Sequence, residues 1–188
     1  MNFVQPIRDP NDIEAIKQYL KLRSLRNYLF FCIGIYSGLR VSDLLSLKVW
    51  MVRGKTRIDI VEKKNKNRKN FVIHPSIKED LDRYIKNMKD DDYLFPSRQI
   101  KMKSKLSKQP IDRSTAYRML NDAAQQFGLQ EIGTHTMRKT WGYFLYRQNH
   151  LNLALLMEAF GHSDPTITLR YIGITQDMMD AAILQLNY

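Results

Sequence analysis

Cysteine is almost missing from this chain: among 188 residues there is one, Cys32. That excludes a disulfide framework and a cysteine-rich metal site, and it fits a reduced, cytoplasmic setting. Cys32 sits in the apolar stretch 28–36 and reads as a small buried residue. Long hydrophobic runs are missing as well. That stretch is far short of the ~20 residues a spanning helix needs, and nothing at the start reads as a signal peptide. The four histidines, His74, His135, His150 and His162, are scattered and show no metal-ligand spacing. The run Asp90-Asp91-Asp92 reads as a surface turn, because adjacent carboxylates do not converge on one ion. No metal and no cofactor is therefore expected. Internal repeats and low-complexity tracts are also lacking.

Acidic charge is short too. Nineteen Asp and Glu against thirty Lys and Arg leave a net charge of +11. Residues 53–70 carry net +6 and residues 98–113 net +5, so two windows hold the whole excess and the rest of the chain is neutral. Two concentrated basic segments on a neutral body are an electrostatic footprint for nucleic acid. Lys63, Lys66, Arg68 and Lys69 in the first window, and Lys101, Lys103 and Lys105 in the second, are the candidate DNA contacts. Neither window carries an amphipathic apolar face, which argues against a membrane surface.

With 44% hydrophobic residues, the chain can bury the core of one domain spanning 1–188. Helical periodicity predicts helices over about 13–21, capped by Asn11 or Asp12, and over 25–36, capped by Ser24 and ended at Gly38. A short helix follows Arg40, with Leu44, Leu45 and Leu47 buried and Asp43 placed to brace Arg40. Residues 56–61 and 70–73 alternate apolar and polar around a lysine-rich turn, which predicts a β-hairpin. Further helices are predicted over 77–87, from Asp112 or Ser114 to Phe127 (with Phe127 inward), and from Thr134 to Gln148. Two more follow over 151–160 and from Asp164-Pro165. Residues 175–186 form an amphipathic tail with Met178, Met179, Ala182, Ile183 and Leu186 on one face. The fold class is α+β, mainly α-helical: a helical bundle with a small antiparallel hairpin.

The chain is organised around residues 134–171. His135 and Arg138 fall three apart just after Gly133-Thr134, where Thr134 would cap the helix and free N–H groups favour an anion. A Gly161-His162-Ser163 turn follows, then Tyr171. Two histidines, an arginine and a tyrosine on a basic chain suggest phosphoryl transfer with a tyrosine nucleophile. Forked guanidiniums can hold the non-bridging oxygens of a phosphodiester as charge builds on them. Tyrosine, with a pKa near 10, must lose its proton as it attacks, and histidine is the natural acceptor. A lysine beside the leaving oxygen can return a proton.

The set Gly38-Leu39-Arg40…Asp43-Leu44, Glu62-Lys63-Lys64, His135-Thr136-Met137-Arg138, Gly161-His162-Ser163 and Tyr171 resembles the catalytic domain of the tyrosine recombinases, the phage integrase family. The order and spacing agree from about residue 10 onward. The resemblance implies that Arg40, Arg138 and His162 surround the scissile phosphate. It makes His135 a proton acceptor or positioning group, Lys64 the general acid and Tyr171 the nucleophile, giving a 3′-phosphotyrosine and a free 5′-hydroxyl on double-stranded DNA. Family members usually carry an N-terminal DNA-binding clamp, for which the first ten residues leave no room. The clamp would then come from a partner protein. The expected function is cutting and rejoining of DNA as an integrase, resolvase or invertase. The alternatives are a DNA-binding regulator of the same fold and a topoisomerase of the same chemistry. Self-association on DNA through residues 176–188 is a further expectation.

Overall fold

A computed structural model describes residues 4–64, 66–97 and 109–186. Lys101, Lys103 and Lys105 lie outside them. The first helix, α1 (Pro10–Arg23), starts three residues before the predicted Ile13. Asp9 is its cap, accepting the Asn11 N–H at 2.8 Å, and Pro10 takes the first helical position, where a missing N–H costs nothing. Ser24 caps α2 (Leu25–Ser37) as predicted. Residues 28–35 are all buried, so α2 is apolar all round and forms the centre of the bundle.

Gly38 ends α2 in the left-handed conformation, φ +62°. A Cβ at this position would also run into the ring of Trp141. Left-handed backbone costs a non-glycine residue about 1–3 kcal/mol. Gly38→Ala is therefore expected to lower the melting temperature by at least roughly 2–4 °C; an unchanged thermal unfolding curve would contradict this account.

Past Arg40 the chain forms the single turn α3 (Val41–Leu44). Strands β1 (Arg57–Val61) and β2 (Arg68–Val72) then pair antiparallel, Arg57 opposite Val72 and Val61 opposite Arg68. Ile58 and Ile60 face the core, while Asp59 and Val61 face out. This two-residue rhythm continues past the strand, and Glu62 is again buried. A turn at Pro75–Ile77 leads into α4 (Lys78–Ile85), which buries Leu81 and Ile85. Asp112 caps α5 (Arg113–Gln125), its carboxylate accepting the Thr115 N–H at 2.6 Å. Phe127 departs from its predicted inward place. The helix ends before it, and its ring lies exposed, edge-on to Tyr19 at 6.0 Å.

The remaining helices are α6 (Thr136–Gln148), α7 (Leu153–Phe160), α8 (Pro165–Tyr171) and α9 (Ile174–Leu184). Two apolar clusters result. The larger is built on α1 to α5 and reaches α6 through Met137. The smaller consists of Tyr143, Leu156, Phe160, Ile172 and Ile174. Helix α6 is shared by both, and Gly142 lets it approach the smaller one: a Cβ there would stand 2.7 Å from Phe160 and 2.8 Å from Ile172. The apolar face of α9 has nothing over it. Met178, Met179, Ile183 and Leu186 are all more than half exposed. Among the described residues no helix is long and apolar enough to cross a membrane. The α+β class, mainly helical with one antiparallel hairpin, stands as predicted.

Candidate active site

Five of the six predicted side chains converge where the ends of α2, α6, α7 and α8 meet. Helix α6 begins at Thr136, not at a Thr134 cap. His135 holds the cap position without a capping bond, and the Thr136 hydroxyl accepts the Gly133 N–H at 3.1 Å. Helical backbone at His135, φ −85° and ψ −15°, moves the start one residue on, and Thr134 is buried. Arg138 then lies in the first turn, itself buried. Its guanidinium donates to the Gly38 carbonyl and, at 2.9 Å, to the Ala159 carbonyl. Its Cζ sits 4.7 Å from the Phe160 ring centroid, so the cation is stacked as well as bonded.

Gly161 ends α7, and His162 follows with its Nδ1 3.0 Å from the Thr168 hydroxyl. Thr168 fixes that ring and is fully buried. Tyr171, the last residue of α8, packs edge-on to Phe160 at 5.0 Å and to His162 at 5.5 Å. Its hydroxyl is 3.5 Å from His135 Nδ1, at the long end of hydrogen-bond reach. Catalytic hydrogen bonds are often this loose before substrate arrives.

The electrostatics follow from that packing. Burial pushes the Tyr171 hydroxyl above its usual range, and the Arg138 and Arg40 cations pull it back only in part. The nucleophile is therefore a neutral phenol at neutral pH. Burial lowers His135, with Arg113, Arg138, Lys139 and Arg40 adding to the effect. Burial also lowers His162, helped by Arg138 and Arg40. Imidazoles held below 6.5 are uncharged at pH 7, so His135 is free to accept a proton. Cys32 plays no part: burial raises its thiol to about 12.

Arg40 is where the predicted bracing is corrected. Its partner is Glu62, not Asp43: Nη1 donates to Glu62 Oε1, and Nη2 reaches the Phe160 carbonyl at 3.5 Å. Asp43 serves the hairpin instead. It is fully buried, and Oδ1 accepts the Lys63 N–H at 2.9 Å. Its other oxygen has no hydrogen-bond partner among the described residues. The register explains the exchange, since Glu62 is the next inward position after Ile58 and Ile60. That alternation was the signal that could have revealed it.

Lys63 and Lys64 both line a recess shared with Arg40, Ser42, Tyr93, Arg113 and His135. The lysine next to the site is thus one of two, and Lys63 is tied to Asp43 through its backbone. Lys66 and Arg68 are exposed at the hairpin tip, whereas Lys69 is half-buried opposite Ile60. Two basic groups went unnoticed as site neighbours, Arg113 at the start of α5 and the buried Lys139. The Nζ of Lys139 lies 5.2 Å from the Tyr171 ring centroid and donates to the Val4 carbonyl at 2.7 Å. Among the described residues no three His, Cys, Asp or Glu side chains are grouped to hold a metal.

The profile of the family described as "Phage integrase family" matches residues 8–177. The chain is 43% identical over 182 residues to the probable integrase/recombinase YoeC of Bacillus subtilis, covering 97% of this chain and 96% of that protein. It is 28% identical to a tyrosine recombinase of Pseudothermotoga lettingae, over 92% of this chain but 58% of that protein. Among solved structures, a XerA recombinase superposes with a TM-score of 0.71 at 20% identity, covering 98% of this chain and 65% of the other. A XerH recombinase bound to difH substrate superposes at 0.70 and 18%, over 90% and 50%. The chain thus spans nearly all of the Bacillus relative but only about half to two thirds of the others.

Proposed function

The chain belongs to the phage integrase family, and on that premise we propose that it is a site-specific recombinase cutting and rejoining double-stranded DNA through a 3′-phosphotyrosine at Tyr171. The observation that carries this reading is the Tyr171 hydroxyl beside His135, in a ring cluster with His162 and next to two guanidiniums. Arg40, Arg138 and His162 donate to the non-bridging oxygens of the scissile phosphate. The Tyr171 oxygen attacks phosphorus and its proton passes to His135. The bond to the 5′ oxygen breaks, and a lysine protonates that oxygen, Lys64 or its neighbour Lys63. The new phosphotyrosine keeps the energy of the broken bond, so another strand's 5′-hydroxyl can reverse the step. The cations supply the charge stabilisation, and the reading asks for no metal or cofactor.

The same-fold regulator is not favoured, because the relatives are recombinases by name. DNA is the partner this reading requires, gripped through Lys63, Lys66, Arg68, Lys69 and the basic residues 101–105. The bared face of α9 supports self-association through residues 176–188. Sedimentation at rising concentration tests it: a mass increase that survives deletion of 176–188 would count against that segment. A separate protein supplying a clamp remains part of the proposal, with weak and salt-sensitive binding expected of this chain alone.

The reading is tested with nicked suicide substrates drawn from the DNA flanking the source locus, resolved on denaturing gels. A slow-migrating band that depends on Tyr171 supports it. The absence of such a band while DNA still binds would sink it. Lys63→Ala and Lys64→Ala run in parallel assign the acid, since a leaving oxygen replaced by sulfur needs no proton and restores cleavage only where the acid was lost.

A further inference from the structure

Glu62 is an odd residue for its position. It is 2% exposed on the inward face of the hairpin, where Ile58 and Ile60 precede it. A carboxylate pays a heavy desolvation cost in such a place unless it is paired. Its pair is Arg40, whose own side chain is 15% exposed. The backbone of Glu62 is engaged as well. Its N–H donates to the Asn67 carbonyl at 2.9 Å, and its carbonyl accepts the Lys66 N–H at 3.0 Å. These two bonds close the loop that presents Lys63 and Lys64 to the recess. One residue therefore fixes the arginine through its side chain and the lysine loop through its main chain. Three residues beyond Arg40, Asp43 makes a second tie to the same loop.

From this arrangement we infer that Glu62 is a positioning residue, which holds the Arg40 guanidinium at a fixed place and orientation relative to the lysine loop before DNA arrives. The inference rests on the reading of Arg40 as a phosphate ligand. A free arginine carries much rotamer entropy, and its fork gives two aligned hydrogen bonds only when its plane is set. A guanidinium has five N–H donors, so Nη1 can stay on Glu62 while others turn to the phosphate. Glu62 does not touch the reacting atoms. It acts through Arg40, as an outer carboxylate orients a metal-bound histidine, and such supports are worth about 10–100-fold in activity.

The test uses the whole chain and two readouts. In the DNA-free protein, nitrogen-15 NMR of arginine side chains reports rotation of the Arg40 guanidinium. Slow rotation in the wild type that becomes fast in Glu62→Gln is the expected result; fast rotation in the wild type overturns the inference. On suicide DNA at saturation, Glu62→Gln should form the Tyr171 adduct roughly 10–100-fold more slowly, with DNA affinity unchanged. Glu62→Asp separates charge from shape. It keeps the carboxylate one methylene short and should outperform the isosteric Gln. Gln equal to or better than Asp would mean that Glu62 only fills space, and a faster Gln variant would mean that it competes with the phosphate; either overturns the inference. If the wild type gives no Tyr171-dependent adduct but Arg40 rotates slowly, the recombinase reading fails and the hold of Glu62 on Arg40 stands.

Discussion

Tyr171→Phe is expected to abolish covalent attachment to DNA while leaving the fold and the DNA affinity in place. The phenyl ring keeps the edge-on contacts with Phe160 and His162. The only bond lost is the 3.5 Å contact with His135, too long to contribute much to stability. The hydroxyl is the nucleophile, however, and removing a nucleophile costs on the order of 10⁶-fold where it has been measured in other enzymes. A denaturing gel should show no adduct at any incubation time, with a gel shift on intact DNA equal to that of the wild type. Adduct formation at even a hundredth of the wild-type rate would move the nucleophile to another residue.

Arg138→Lys should cost about 10²–10³ in the single-turnover rate of cleavage, the scale of one lost donor to a developing oxyanion. The substitution keeps the charge, which makes it the sharper test. The guanidinium spans the Gly38 and Ala159 carbonyls and stacks on Phe160 at once. A lysine ammonium is a point charge on a flexible stem and cannot hold that plane. DNA affinity, which sums many phosphate contacts, should change little. A rate within about threefold of the wild type would show that charge alone suffices, and the forked grip would have to be abandoned.

Most of this site could be read from the sequence because its parts are tied to local signals. Tyr171, His162 and the His135/Arg138 pair lie near helix ends marked by glycine or Asx caps, and such ends are local features. The hairpin announced itself by alternation. What could not be read was who pairs with whom. Arg40 and Asp43 are neighbours in sequence, and pairing them was the local reading. The actual partner of Arg40 is 22 positions away, chosen by the strand register and by burial. The choice between Lys63 and Lys64 failed for the same reason: both lie in a turn, where strand alternation no longer says which side chain faces the site. The start of α6 was displaced because a buried Thr134 cannot serve as an exposed cap. The bared tail was left open because amphipathicity says that a face is covered, not by what.

The unequal clusters on either side of α6 imply an unequal resistance to opening. The arginines and the lysine loop are rooted in the larger cluster, whereas His162 and Tyr171 ride on α7 and α8, whose buried anchors are few. Fluctuations that expose amides draw on the least-anchored unit first. The backbone of α8 should therefore exchange its protons for deuterium well before that of α2. A phosphate already gripped while the tyrosine is still loose is then an ordinary member of the native ensemble. The timing of attack would be governed by how often α8 closes, separately from how tightly the DNA is held.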